Sequence, residues 1–89
     1  MSESRTVEIV NERGLHARAS AKFVKLASTF DAEVMVSKDG QSVDARSIMG
    51  LMMLAAGQGS KLRFSVRGKD SAALLGEMEA LFARKFDES

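Results

Sequence analysis

Hydrophobic and polar residues alternate along several short stretches of the chain, a pattern typical of strands with one buried face. The clearest stretch is residues 61–67, where apolar and polar residues alternate strictly. Residues 6–10, 33–37 and 41–43 show shorter or partial versions of the pattern and predict further strands. Asp39-Gly40 separates the last two of these, and this pair favours a tight hairpin turn because both residues tolerate a positive φ.

Apolar residues spaced three and four positions apart predict helices between and after these strands. The first helix starts near Ala17 and ends near Thr29. Its apolar stripe is formed by Ala19, Phe23, Leu26 and Phe30. The second helix is short and runs from a cap at Ser47 to about Ala55. The third follows Asp70, a candidate N-cap. Its core side is formed by Leu74, Leu75, Met78, Leu81 and Phe82.

The order β-α-β-β-α-β-α predicts an α+β fold. We expect an open-faced two-layer sandwich, in which three helices pack on one face of a four-stranded antiparallel sheet. A chain of 89 residues is long enough for one modest core, so residues 1–89 are expected to form a single domain.

Composition narrows the classes of function. The formal net charge is +1, so the chain has no bulk electrostatic attraction to nucleic acid. It has no cysteine and a single histidine, which excludes disulfides and thiolate metal sites and leads us to expect no metal and no cofactor, although carboxylates alone could still hold a hard cation. Residues 1–10 lack the apolar core of a signal peptide, and no stretch has the length of a membrane span. We therefore expect a cytoplasmic protein without membrane insertion.

The single histidine lies in the segment Gly14-Leu15-His16-Ala17-Arg18, at the predicted start of the first helix. The first backbone amides of a helix lack acceptors within it, and the helix dipole adds positive charge, so this end favours anions such as phosphate. Gly14 would let the preceding loop turn sharply, and the guanidinium of Arg18 could share the charge of an oxyanion. Because a neutral imidazole is a good nucleophile near pH 7, we hypothesise that His16 accepts a phosphoryl group.

Two other interpretations of His16 stay open from the residues. A lone histidine at a helix start is more often a cap or a surface residue than a nucleophile. A hydrolase site would need a carboxylate to orient the imidazole; none is adjacent to it in sequence, although a residue distant along the chain could supply one.

Residues 47–56 predict a helix with no polar face after Ser47. The domain is too small to bury all of its large apolar side chains, so part of the set is expected to form an exposed patch for a partner. Methionine suits such a patch, since its flexible thioether repacks against differently shaped surfaces. The alternative is that the whole set is buried. The set comprises Ile48, Met49, Leu51, Met52, Met53 and Leu54. Ser47 itself is either a simple N-cap or, beside Arg46, a phosphorylation switch.

Two motifs, in register with the predicted order of elements, resemble the HPr-type phosphocarrier proteins of the bacterial phosphoenolpyruvate-dependent phosphotransferase system. Gly14-Leu15-His16-Ala17-Arg18 is similar to the active-site signature of that family, and Ser47-Ile48-Met49-Gly50-Leu51-Met52 is similar to its second signature. The resemblance covers nearly the whole chain. It implies a stoichiometric phosphoryl carrier that is acted on by other enzymes and is not itself an enzyme.

The resemblance also implies a role for each matching position. His16 would take a phosphoryl group on Nδ1 from Enzyme I and pass it to an enzyme IIA-type protein. Arg18 would screen the phosphate, and the amide of Ala17 would face it at the helix start. Ser47 would be the serine modified by an HPr kinase/phosphorylase, in organisms that have one. The partner-binding surface would comprise Ser20, Lys25, Ile48, Met49, Met52 and Met53. The carrier is expected to act as a monomer.

The chain departs from the common family pattern at a few positions. Arg13 and Ala19 stand where asparagine and proline are frequent, and neither change removes a group needed for the chemistry. Ser28 stands where a second lysine is common, which would weaken some acceptor contacts.

Two other functions stay open beside phosphoryl transfer, for which a regulatory type of carrier is preferred. Residues 30–34 and 80–87 are similar to the nitrogen-related NPr branch, which suggests a regulatory module whose phosphorylation state is the output. The third candidate is a small RNA-binding domain, because Lys61, Arg63 and Arg67 line one strand face. That face lacks the aromatic side chains on which single-stranded RNA usually stacks.

Overall fold

Residues 2–87, the part of the chain that the computed structural model describes, form strands and helices in the predicted order. The strands are β1 (Ser2–Glu8), β2 (Glu33–Lys38), β3 (Gln41–Asp44) and β4 (Lys61–Arg67). The α-helices are α1 (Ala17–Ser28), α2 (Ile48–Met53) and α3 (Ser71–Ala83). A single tight turn at Lys85–Asp87 follows α3.

The strands form one antiparallel sheet in the order β1-β4-β2-β3. On the central strand β4, Leu62, Phe64 and Val66 are buried, and the residues between them are exposed. The helices cover the buried face and leave the other face open. Asp39 (φ 50°) and Gly40 (φ 83°) form the expected hairpin turn between β2 and β3. The prediction of an α+β two-layer sandwich is therefore confirmed.

Three phenylalanine rings join α1, β4 and α3 at the centre of the core. Phe23, Phe64 and Phe82 are fully buried, and their ring centroids lie 5.5, 5.4 and 5.2 Å apart in edge-to-face pairs. Phe86, from the turn after α3, packs on Phe82 with the centroids 4.6 Å apart. The segment that follows α3 is thus anchored to the same core as α1.

The first strand and the second helix differ in extent from the prediction. β1 pairs with β4 from Ser2 to Glu8, whereas the sequence pattern placed it at residues 6–10. It lies at the edge of the sheet, where polar side chains are tolerated and conceal the alternation. α2 ends at Met53, because Ala55 adopts a left-handed conformation with φ 51° that does not continue a helix.

The prediction that Asp70 is the N-cap residue of α3 is confirmed for its position, but not for a capping side chain. Asp70 occupies the N-cap position, but its side chain makes no capping hydrogen bond. Its Oδ2 instead accepts a hydrogen bond of 2.9 Å from the backbone N–H of Asp31. The carboxylate therefore ties the loop before β2 to the start of α3.

The longest helix among residues 2–87 is α3, with 13 residues. Nowhere in that part of the chain does a helix combine the length and the apolar character needed to cross a membrane.

Candidate functional site

His16 occupies the N-cap of α1, in extended backbone conformation with φ −72° and ψ 178°. The helix begins at Ala17, as predicted, and the first of its hydrogen bonds runs from the N–H of Ser20 to the carbonyl oxygen of His16, at 2.9 Å. The imidazole is half-buried, and its Nε2 atom is buried. His16 therefore lies where the first amides of a helix and the positive end of its dipole meet the surface.

Gly14 holds the loop before His16 in a conformation that other residues rarely adopt. Its φ is 65°, and a Cβ built on it would lie 2.5 Å from the carbonyl oxygen of Ala56 and 2.8 Å from the Cα of Gly57. The N–H of Leu15 donates a 2.9 Å hydrogen bond to the same Ala56 oxygen. The sharp turn predicted at Gly14 is confirmed. The close contact of this turn with the loop after α2 sets the position of His16.

A small cleft with a volume of about 90 Å³ opens beside His16. Its walls are formed by Arg13, His16, Arg18, Ala19, Lys22, Phe86 and Asp87. The cleft thus combines the imidazole with three cationic side chains and one carboxylate. The structure brings His16 and Arg18 together, as the sequence motif predicts, while the contributions of Lys22, Phe86 and Asp87 were missed.

The missed residues form one contact between α1 and the turn at Lys85–Asp87. The Nζ of Lys22 donates a 3.0 Å hydrogen bond to the carbonyl oxygen of Phe86 and lies 3.5 Å from Oδ2 of Asp87. The Nε of Arg84 donates a 3.1 Å hydrogen bond to Oδ1 of Asp87, and this bond holds the pKa of the Asp87 carboxyl below its usual value. The four-residue spacing from Arg18 to Lys22 was the available sequence signal, since it places both on one helix face.

The apolar side chains of α2 divide into a buried and an exposed set. Leu51 and Leu54 belong to the core. The exposed set, here called the methionine patch, consists of Ile48 (39% exposed), Met49 (72%), Met52 (43%) and Met53 (66%). The alternative that all of these side chains are buried is therefore wrong. Helix α1 packs beside α2, and Lys25 is exposed on α1.

Ser47 caps α2, as predicted. Its Oγ accepts a 2.9 Å hydrogen bond from the N–H of Gly50. A Cβ at position 50 would lie 3.1 Å from that Oγ, so the glycine leaves room for the cap.

The prediction that Ser20 contributes to a partner-binding surface is contradicted by the structure. Ser20 is fully buried, and its Oγ donates a 3.2 Å hydrogen bond to the carbonyl oxygen of Leu15. The side chain secures the first turn of α1 to the preceding loop and is inaccessible to a partner.

Two of the three basic side chains of β4, Arg63 and Arg67, are exposed but form contacts on the open face of the sheet. The Nε of Arg63 donates a 2.9 Å hydrogen bond to Oγ of Ser4, and Arg67 forms a 2.6 Å ion pair with Glu33. The hydrogen bond from Arg67 lowers the pKa of the Glu33 carboxyl. A carboxylate within this face makes it less suitable for a nucleic acid backbone.

Comparison with known proteins decides the family. The family model for the PTS HPr component phosphorylation site matches residues 3–84. The chain belongs to the PTS HPr family. The phosphocarrier protein HPr of Treponema pallidum is 46% identical to it over 84 residues, which cover 94% of this chain and 96% of that protein. The phosphocarrier protein NPr of Shewanella violacea is 42% identical over 85 residues, which cover 96% of this chain and 93% of that protein.

Solved HPr structures share the fold of this HPr-family chain. The crystal structure of HPr-C-His from Thermoanaerobacter tengcongensis superposes with a TM-score of 0.93, at 40% identity, and the match covers 98% of each chain. The resemblance expected from the two motifs is thus confirmed for both sequence and fold.

Proposed function

We propose that this HPr-family chain accepts a phosphoryl group on His16 from phosphorylated Enzyme I and donates it to an enzyme IIA-type protein. The observation that carries the proposal is the position of His16 at the N-cap of α1, within a cleft that also contains Arg18. The incubation of the chain with phosphoenolpyruvate and Enzyme I, followed by mass mapping of the modified residue, tests it directly.

The transfer needs one nucleophilic nitrogen and a setting that tolerates negative charge. Nε2 of His16 is buried, which supports Nδ1 as the attacking atom. A new bond forms between Nδ1 and phosphorus as the bond between phosphorus and the donor histidine breaks, so the donor regains its nitrogen lone pair. The phosphoryl oxygens then meet the first amides of α1, Ala17 included, and the guanidinium of Arg18.

A carrier must also release the group it accepts. Strong stabilisation of phosphohistidine would trap the phosphoryl group and slow its onward transfer. Helix-terminal dipoles at exposed positions contribute roughly 0.3–1 kcal/mol each, and Arg18 is an exposed residue. Interactions of this moderate strength allow the chain both to accept the phosphoryl group and to release it.

The methionine patch, with Lys25 at its rim, is the proposed docking surface for both partners in turn. Its apolar side chains are exposed on a short helix next to α1, and the loop after that helix is hydrogen-bonded to Leu15, the neighbour of His16. A small adaptable patch with a charged rim favours short-lived complexes over a large permanent interface.

Replacing Met49 with serine is expected to raise the KM of Enzyme I for the chain about tenfold while leaving the folded state intact, since roughly 1.4 kcal/mol of apolar burial on docking would be lost. The matched control is Met35→Ser, which removes an exposed methionine (40%) from the open face of the sheet. Steady-state phosphorylation at varied carrier concentration measures both variants. Equal KM values for the two would argue against docking through the patch.

Ser47→Asp is expected to slow phosphorylation by Enzyme I at least about fivefold at low carrier concentration, because a negative charge at the edge of the patch opposes an acidic partner surface. The control is Ser42→Asp, which adds the same charge to an exposed serine of β3. Transfer kinetics unchanged from wild type would remove the proposed regulatory role of Ser47.

A regulatory output is the second candidate function, and the similarity to an NPr protein supports it. A phosphate chase separates the two candidates. Quantitative passage of label from His16 to an enzyme IIA-type protein favours the carrier, whereas retention of the label on His16 favours a module read by its phosphorylation state.

A further inference from the structure

A lysine of the His16 cleft has no role in the function described so far. Lys22 follows Arg18 by one helical turn, and both side chains line the cleft. Like charges at this spacing repel each other. Lys22 is nevertheless held half-buried in the cleft by two oxygen acceptors, the Phe86 carbonyl at 3.0 Å and the Asp87 carboxylate at 3.5 Å.

An unusual turn presents these acceptors. Lys85, Phe86 and Asp87 have φ values of 59°, 55° and 58°, a left-handed conformation that non-glycine residues rarely adopt and that is concentrated at functional sites. Burial of Phe86 against Phe82 holds the turn in place. The hydrogen bond from Arg84 lowers the pKa of Asp87, so its carboxylate is charged at neutral pH.

Lys22 and His16 line the same small cleft, which a group bonded to His16 would enter. The volume of this cleft is about 90 Å³. A phosphoryl group on His16 that enters the cleft therefore shares it with Lys22. With nearly two negative charges and three acceptor oxygens, that group is a stronger partner for an ammonium than a peptide carbonyl.

We propose that Lys22 is a second phosphate-binding cation of the His16 site, kept in position by Phe86 and Asp87 until the phosphoryl group arrives. The inference rests on the proposed phosphorylation of His16. Lys22 then stabilises phosphohistidine, whereas Asp87 competes with the phosphoryl group for the same ammonium. The two side chains consequently have opposite effects on the phosphorylation equilibrium.

The experiment measures the equilibrium constant between phosphoenolpyruvate and phosphohistidine in full-length variants, with Enzyme I as catalyst and phosphorus NMR as readout. Lys22→Gln is expected to lower the constant roughly three- to tenfold and Asp87→Asn to raise it about two- to fivefold, as fits one partly solvated charge-assisted contact. Lys22→Arg, which keeps the charge, is expected to stay within about twofold of wild type. Lys69→Gln, a change to an exposed lysine paired with Asp31, is the neutral control.

A second readout distinguishes phosphate binding from a structural role. The second pKa of the phosphoryl group, taken from the pH dependence of its phosphorus chemical shift, is expected to rise in Lys22→Gln because a nearby cation is lost. An unchanged equilibrium constant and phosphoryl pKa in that variant would overturn the inference and leave the carrier function intact. Failure of wild type to take up phosphate would instead contradict the proposed function.

If Lys22→Gln proves unstable, the equilibrium constant of Asp87→Asn still tests the proposal. A purely structural contact between Asp87 and Lys22 predicts that both variants lose phosphohistidine along with thermal stability. The proposal predicts a gain in Asp87→Asn, and a loss there overturns it.

Discussion

Replacing His16 with alanine is expected to abolish phosphorylation of the chain by phosphoenolpyruvate and Enzyme I. His16 is the single histidine of the sequence, so no second imidazole can take over as acceptor. Mass mapping after incubation should find mild-acid-labile phosphate on His16 of wild type and none on the variant. Acid-labile phosphate on the variant at the wild-type level would place the acceptor elsewhere and refute the role of His16.

The loss of phosphorylation in His16→Ala should result from the missing imidazole and not from a change in the fold. His16 lies at the helix cap, half-buried, and its backbone carbonyl accepts the first hydrogen bond of α1, a contact that alanine retains. The change in unfolding free energy is expected to stay within about 1 kcal/mol, the usual range for a cap residue. Thermal unfolding of both proteins checks this, and a large drop in Tm would mean that misfolding contributes to the loss.

Local features of the site could be predicted from the sequence. The start of α1 is set by features that lie within a few residues of one another: Gly14, the residue at the cap and the apolar spacing of the helix. The position of His16 near Arg18 could therefore be predicted from the motif. The exposure of part of α2 followed from the size of the domain. Which of its side chains face outward could not be read from the all-apolar stretch alone and came from the family resemblance, since the division of Leu51 from Met49 depends on how α2 packs.

The side of the cleft that is formed by Lys22, Phe86 and Asp87 depends on contacts between distant parts of the chain. Lys22 and Asp87 are 65 residues apart in sequence, and they meet because Phe86 is buried against the core. The turn that brings them together uses left-handed residues without a glycine, so no turn motif marks it. The buried Ser20 was misassigned for a related reason, because its partner is a backbone oxygen outside the helix pattern.

Gly14→Ala is expected to cause the largest loss of stability among single methyl additions at the site. Alanine at φ 65° costs about 1–2 kcal/mol in any surroundings. Its Cβ would also lie 2.5 Å from the Ala56 oxygen, a backbone atom that cannot rotate away. We expect a total destabilisation of about 3 kcal/mol and a fall in Tm of more than about 10 °C, measured by thermal or urea unfolding.

Gly59→Ala separates the two causes. Gly59 has φ 89°, and a Cβ there would meet nothing within 4 Å, so the conformational cost acts without a clash and the expected fall in Tm is about 5 °C. The difference between the variants reports the contact of Gly14 with the loop after α2. That contact also sets the position of His16, so Gly14→Ala should slow phosphorylation even at temperatures where it is fully folded, whereas Gly59→Ala should not. Equal Tm values and equal phosphorylation rates in the two variants would show that the contact of Gly14 with the loop after α2 does not position the loop before His16.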